Sequence, residues 1–474
     1  MINRLTAIKY NNGSFGPALL VYGIGSALNK FIPILLVPVF TREFTTQQYG
    51  IVDIITSAAF FITVMGTLQL ESALARFFYE KENRKEKKKL ISSVFWGILL
   101  LSGGLVFITI LVSGWVSVRY LGGLHYRWTI IIAIINILLL NLFSVLSIVL
   151  RFDNKPVHFS VISFGQLLIT LVATILLVVK FEIGINGVFY GQGIGYALGL
   201  LSTLWLLRKY LTFTLDIKLL KSLFSYSTPL VPGVLISWFN SHGIKFFILS
   251  FIGLGQMGVL AAAMKVASVF MIVENGFRFT WSPFFWKNFN QAGHKEKYIR
   301  IFKGVTLGLC VLMLLYVLFI RDIYYILIDA KYWAGDRLLI PLGIGFALNI
   351  LIPIVSMGAH IVKKTIYNSL SQVLATMVYL GLLLLLTPAY GLSGVAFAFL
   401  ISRLCLFLLF WVLHNRFYPI NYPFYLFLAA GFIIALTAIV VVNYQLTLPV
   451  KFFIGTLILL ASGITLYRSN FYKL

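Results

Sequence analysis

Residues 129–150 read TIIIAIINILLLNLFSVLSIVL, without one ionisable side chain. A helix rises 1.5 Å per residue, so roughly 20 apolar residues cross the hydrocarbon core of a bilayer, and this run is long enough. Comparable runs recur at 17–40, 49–70, 90–113, 159–179, 185–207, 229–252, 256–277, 304–320, 338–358, 367–387, 391–413, 424–442 and 452–467. Barrel strands are shorter and alternate in polarity, and these runs do neither. The sequence therefore predicts an all-α polytopic membrane protein with about 14 transmembrane helices. Composition agrees: 60% of residues are hydrophobic and 11% charged, where a soluble domain is nearer half and a quarter. The 474 residues leave no room for a sizeable soluble domain. A nucleotide-hydrolysing transporter and a membrane-anchored soluble enzyme are both disfavoured. The polar N-terminus lacks the short apolar core and cleavage site of a signal peptide.

The chain carries 38 Lys+Arg against 14 Asp+Glu, a net charge of +24. In a soluble protein that excess would suggest nucleic acid. Here it follows the bias of bases toward cytoplasmic loops. With both termini cytoplasmic, inner segments hold 25 bases and outer loops 8, the densest inner group being Arg84–Lys89. No nucleic-acid partner is expected. That basic run could also meet anionic lipid headgroups.

An internal repeat is spaced by about 207 residues. GINGV at 184–188 matches GLSGV at 391–395, QYG at 48–50 matches QMG at 256–258, and RFFYEK at 76–81 resembles PFFWKN at 283–288. Each unit holds six spans, an even number, so both copies have the same orientation. The expected organisation is an N-terminal six-helix lobe at 1–210, a C-terminal six-helix lobe at 211–417, and two extra, peripheral helices at 418–474. Parallel repeats of this kind suit alternating access. A channel would need a ring of equivalent selectivity residues.

Ionisable side chains inside a span are expensive and point to function. Lys30, with Asn29 beside it, lies deep in the first span. Lys245 lies nearer the outer end of span seven, where Ser237, Ser241 and Lys245 fall at i, i+4, i+8 and Asn240 and His242 flank them. In span two, Asp53, Ser57, Phe60, Val64, Thr67 and Glu71 follow a 4-3-4-3-4 spacing. Five turns of continuous helix would put Asp53 and Glu71 on one face about 27 Å apart. The repeat-related stripe in span eight is Ala261, Lys265, Ser268, Ile272, Asn275 and Phe279. Both stripes are expected to line the cleft, the plain alternative being a polar seam within one lobe. Glu274 and Arg278, four residues apart, are expected to form a structural or gating ion pair. The substrate-binding set is thus Lys30, Asn29, Lys245, Asn240, Lys265 and Ser268, with Asp53 and Glu71 as ion-coupling acids. Arg403 is mid-span without an assigned role. No catalytic residue, metal site or cofactor is expected: the six histidines have no metal-ligand spacing, no Asp-x-Asp occurs, and there is no phosphate-binding loop.

The stretches SALNKFIPILLVPVFTREFTTQQYGIVDII, LQLESALARFFYEKENRKEKKKLISS and, across spans seven and eight, NSHGIKFFILSFIGLGQMGVLAAAMKVASV resemble the Wzx-like polysaccharide flippases. These belong to the multidrug/oligosaccharidyl-lipid/polysaccharide (MOP) exporter superfamily, and the resemblance covers roughly residues 15–415. It implies a flippase, not an enzyme, that moves an undecaprenyl-diphosphate-linked oligosaccharide across the bacterial inner membrane for O-antigen, capsule or exopolysaccharide synthesis. It also implies membrane lipids, an ion gradient and glycan polymerase machinery as partners. Where the family commonly has Asp before the base of span seven, this sequence has Ile244 before Lys245. The competing readings are a multidrug or cation antiporter of the same superfamily and, from another class, a membrane polysaccharide polymerase.

Overall fold

A computed structural model describes residues 34–468 apart from Glu82, Asn154, Lys155, Asn290, Ala292, Lys363, Thr365 and Gln445. Lys30 and Asn29 lie outside the described residues. Every described element is helical. In order they are α1 (Val37–Glu43), α2 (Thr46–Thr67), α3 (Leu70–Glu80), α4 (Arg84–Leu121), α5 (Arg127–Phe152), α6 (Pro156–Ile175), α7 (Ile185–Leu207), α8 (Ile217–Ser227), α9 (Val231–Trp238), α10 (Ile244–Ala267), α11 (Phe270–Asn288), α12 (His294–Leu327), α13 (Asp336–Val355), α14 (Met357–Ile361), α15 (Ile366–Phe417), α16 (Phe424–Tyr444) and α17 (Leu448–Arg468), with short 3-10 and π turns between. Nine stretches among the described residues are long and apolar enough to cross a membrane. Two of them, Ile217–Ala267 and Ile366–Phe417, are broken where Gly253 and Gly391 take φ of +71° and +55°. Only glycine adopts such angles without a Cβ clash, so each long stretch is two passages. Both breaks fall where the hydropathy separates neighbouring spans. Adding α7 and α17, and with most of the first predicted span outside the described residues, the helix count is roughly consistent with the fourteen-span reading of the sequence.

The chain forms two compact units, Met1–Gly258 and Val259–Leu474. In the first, a dry core of Leu70, Leu74, Leu90, Val94, Val145, Leu146, Val149 and Leu207 joins α3, α4, α5 and α7. Glycines let helices approach closely within it. A Cβ on Gly191 or Gly195 would strike Thr174 or Thr170 of α6, the small-residue packing expected of lipid-embedded helices. In the second unit α16 and α17 pack on α12, and the Lys451 Nζ donates to Asp322 at 2.6 Å.

Repeated motifs keep one local conformation in both copies. Gly184, which opens GINGV, has φ +68° and ψ −147°, and Gly391, which opens GLSGV, has φ +55° and ψ −131°. Gly50 and Gly258, the last residues of QYG and QMG, meet each other. A Cβ built on Gly50 would collide with the Leu254 carbonyl, and one on Gly258 with the Thr46 carbonyl. The two helix starts therefore touch backbone to backbone.

Span two departs from the sequence reading. Leu68 (φ 41°, ψ 36°) and Gln69 (φ 60°, ψ 22°) are both left-handed, which costs roughly 1–2 kcal/mol per non-glycine residue. α2 ends there and α3 starts in a new direction. The five-turn argument that put Asp53 and Glu71 on one continuous face fails for that reason. The matching stripe of span eight is also interrupted. Between α10 and α11 the bonds tighten to a three-residue reach, Val269 N–H to the Val266 carbonyl, Met271 to Ser268 and Ile272 to Val269.

A polar strap leads from α7 into α8. Thr212 N–H donates to the Ser92 hydroxyl at 2.8 Å, Trp96 Nε1 to the Thr212 carbonyl at 3.0 Å, and Lys89 pairs with Asp216 at 2.6 Å. Asp216 also caps α8 by accepting from Leu219 N–H at 3.0 Å. The Lys89 ammonium, then the Leu219 N–H, hold the Asp216 carboxyl below its ordinary value of 3.8. A depressed carboxylate contributes stability above that ordinary value and loses it as pH falls through the folded one. Asp216→Asn is expected to lower the midpoint of thermal unfolding in detergent at neutral pH. The difference from wild type should close on acidification below about pH 4.

The Gly50–Gly258 crossing gives a second expectation. Gly50→Ala and Gly258→Ala should each destabilise the folded protein by about 2 kcal/mol through overpacking. Gly103→Ala, where a Cβ meets nothing within 4 Å, should instead stabilise α4 by roughly 0.5–1 kcal/mol. Thermal unfolding of the three purified variants checks both signs.

Candidate functional site

The first unit brings one acid and one base of the predicted set together. Lys245 Nζ donates to both Asp53 oxygens at 2.8 Å. Asp53 is 7% and Lys245 9% exposed. The two are 192 residues apart in sequence, on α2 and the start of α10. Asp53 is in the second turn of α2, which opens with a full capping box: Gln48 N–H bonds the Thr45 hydroxyl and Thr45 N–H bonds the Gln48 side chain. Around Asp53 the helix is almost wholly buried, with Tyr49, Ile51, Val52, Ile54 and Ile55 packed about it. An ionised carboxylate in such surroundings needs an opposite charge, and Lys245 supplies it with both oxygens bonded.

A π turn over Phe239–Gly243 precedes Lys245. Its extra residue rotates the start of α10 by about 100°. Ser237 and Ser241 stay exposed while Lys245 turns inward, so the expected common face of Ser237, Ser241 and Lys245 does not form. The same turn sets His242 against Phe60, with ring centroids 4.6 Å apart, and Trp238 against Phe61 at 4.9 Å. Trp238 Nε1 donates to the Ser57 carbonyl at 3.2 Å, one turn after Asp53. Asn240 Nδ2 is directed back to the Ile236 carbonyl at 2.9 Å. Phe60 and Phe61 remain exposed. The site is thus an ion pair under an aromatic rim.

Glu71 is elsewhere. It occupies the first turn of α3, half-buried. In the second unit Lys265 sits in the last turn of α10, where its carbonyl accepts from the Ser268 hydroxyl at 2.7 Å. Glu274 Oε1 lies 2.8 Å from Arg278 Nε on α11. No cluster of three or more His, Cys, Asp or Glu that could hold a metal occurs among the described residues. Cys310 and Cys405 are free thiols.

Sequence spacing found Asp53, Lys245 and the Glu274–Arg278 pair. It did not find that the first two are each other's partners, nor Trp238 as the clasp between the helices, because neither relation is local. Polar residues in two different apolar spans were the available signal.

Comparison with known structures gives the class. The lipid II flippase MurJ in its inward-closed conformation aligns with a TM-score of 0.73 at 18% identity, over 95% of this chain and 99% of that one. An inward-facing multidrug resistance MATE transporter of the MOP superfamily aligns at 0.64 and 12%, over 82% and 97%. A MATE transporter in its bent conformation aligns at 0.53 and 10%, over 87% and 95%. The fold is that of the MOP-superfamily membrane transporters, in keeping with the resemblance carried by the residues. More particularly, the model of the polysaccharide biosynthesis protein family matches residues 18–289, and the chain belongs to that family. A search of curated proteins finds no match.

The buried pair makes a sharp expectation. Lys245→Met or Asp53→Leu leaves one charge unpaired in an apolar interior, at a cost of about 3–5 kcal/mol. The double variant Asp53→Leu/Lys245→Met should recover most of the lost stability. Expression level and unfolding midpoint of the three variants measure the coupling, and additive losses would show that the two charges are independent.

Proposed function

We propose that this protein is a secondary transporter that flips a polyprenyl-diphosphate-linked oligosaccharide, an O-antigen, capsule or exopolysaccharide unit, from the cytoplasmic to the outer leaflet of a bacterial inner membrane. The observation that carries the reading is the family match across residues 18–289. The likeness to the lipid II flippase is one of fold, and it supports alternating access by two repeated lobes. The lobes are assigned to 1–210 and 211–417, with helices 418–474 added. The proposed cationic set is Lys30, Lys245 and Lys265 with Asn29, Asn240 and Ser268. A diphosphate entering a low-dielectric cleft needs such charge to offset its desolvation. Lys245 reaches the substrate only by parting from Asp53, so substrate capture and release of the Asp53 carboxylate are coupled. Asp53 and Glu71 are the proposed carriers for an ion gradient, and the Glu274–Arg278 pair a gate. Membrane lipids and a glycan polymerase are the proposed partners. The MATE likeness favours a drug or cation antiporter as the second reading.

A deletion strain separates these readings. Lipid-linked units are expected to accumulate in the cytoplasmic leaflet. Outer-leaflet accumulation of unpolymerised units would mean a polymerase, and drug hypersensitivity with normal surface glycan an antiporter. Complementation by an Asp53→Asn/Glu71→Gln variant at the wild-type rate would remove both acids from the coupling. Both termini are placed in the cytoplasm on the base count. Single cysteines at Lys87 and Asp329 should accordingly label from opposite sides of the membrane.

A further inference from the structure

The strap between α7 and α8, in the first unit, has a polar and an apolar edge. Residues 212–216 lie outside any helix, and their side chains alternate as those of a non-helical, extended chain do. Thr212 and Asp216 turn to α4. The Thr212 hydroxyl lies 3.1 Å from that of Ser92, Asp216 N–H donates to the Ser93 hydroxyl at 3.1 Å, and the Asp216 carboxylate takes Lys89. Thr214, between them, has its hydroxyl 2.7 Å from that of Thr212. The alternate residues are apolar and turn away: Phe213 is 94%, Leu215 39% and Ile217 73% exposed. The Trp96 ring backs Phe213 with centroids 5.5 Å apart. The apolar face of α8 is not part of this edge. Its Leu223 is fully buried, and Leu219, Phe224 and Tyr226 pack on the core of the first unit.

Two features flank the apolar edge. Trp205, in the last turn of α7, is 67% exposed, with the Arg208 guanidinium carbon 5.6 Å from its ring centroid. Exposed tryptophan at the end of a span marks the membrane–water boundary, so the chain leaves α7 at headgroup depth. Arg208, Lys209, Lys218 and Lys221 are all exposed on either side of the strap. Asp216 is the one acid of residues 208–221, and Lys89 pairs with it. An apolar edge at that depth buries in the boundary between headgroups and acyl chains, and bases beside it meet the negative potential of an anionic leaflet. We propose that the strap is an interfacial anchor: Phe213, Leu215 and Ile217 insert into the leaflet beside α7, and Arg208, Lys209, Lys218 and Lys221 hold its anionic phospholipid headgroups. Charge and depth both select a lipid surface as the occupant. The anchor does not depend on what the transporter carries, and it fixes the link between spans six and seven at the membrane surface.

The test uses the full-length protein in nanodiscs of phosphatidylcholine mixed equally with phosphatidylglycerol. Phe213→Cys, Ile217→Cys and Ser222→Cys, each in a Cys310→Ala/Cys405→Ala background, carry a nitroxide label. Its relaxation by oxygen, which concentrates in the bilayer, is compared with that by a water-soluble nickel chelate. Labels at 213 and 217 should be open to oxygen and shielded from nickel, and the label at 222, on the exposed face of α8, should show the reverse. Nickel access at 213 and 217 equal to that at 222 would overturn the insertion, and is the result expected of a face reserved for a soluble protein. A second measurement needs no cysteine and stands even if the cysteine-free background fails to fold. Native mass spectrometry of the protein released from the same nanodiscs should show phosphatidylglycerol retained over phosphatidylcholine. In the variant Arg208→Gln/Lys209→Gln/Lys218→Gln/Lys221→Gln that preference should fall by about fivefold or more, fivefold being the effect of one base at an anionic surface. An unchanged preference, or none in the wild-type protein, would overturn the headgroup assignment.

Discussion

A charge inside an apolar helix bundle has to find its opposite, and that constraint organises the first unit. Asp53 and Lys245 are almost wholly enclosed and bonded through both carboxylate oxygens. Each would be prohibitive alone. Their union fixes the register between α2 and the α9–α10 passage, and Trp238 bonding to the Ser57 carbonyl holds the same two elements one turn away. A buried ion pair of this kind is weak evidence for stability, since an apolar pair of equal volume would do as well or better.

Backbone breaks supply the second organising feature. A continuous helix gives one direction and one stripe. Here Gly253 and Gly391 divide long helices, a π turn precedes Lys245, and two left-handed residues end α2. Leu68 and Gln69 hold a conformation that neither side chain favours, and the packing of Leu70, Leu74 and Phe78 after them offsets that strain. Where Gly50 meets Gly258, the absence of side chains lets two helix starts touch.

The second unit shows the same physics with the roles divided. Glu274 is mostly enclosed and pairs with the more exposed Arg278, and Arg403 lies against Phe399 with a buried Nε.

The sequence by itself determined the class of fold. Uncharged runs of bilayer length can only be helices, because every backbone polar group must be satisfied within the segment. The matching motifs GINGV and GLSGV were also legible, and each opens with a glycine of similar dihedral angles. The polar residues of spans two, seven and eight were found because charge in an apolar run stands out. Tertiary structure alone decided how those residues pair with one another. Helical spacing assumes an unbroken helix, so it joined Asp53 to Glu71, which the Leu68–Gln69 break separates, and joined Lys245 to Ser241, which the π turn separates. The partnership of Asp53 with Lys245 spans 192 residues of sequence, and no local periodicity encodes a contact made by packing two distant helices side by side.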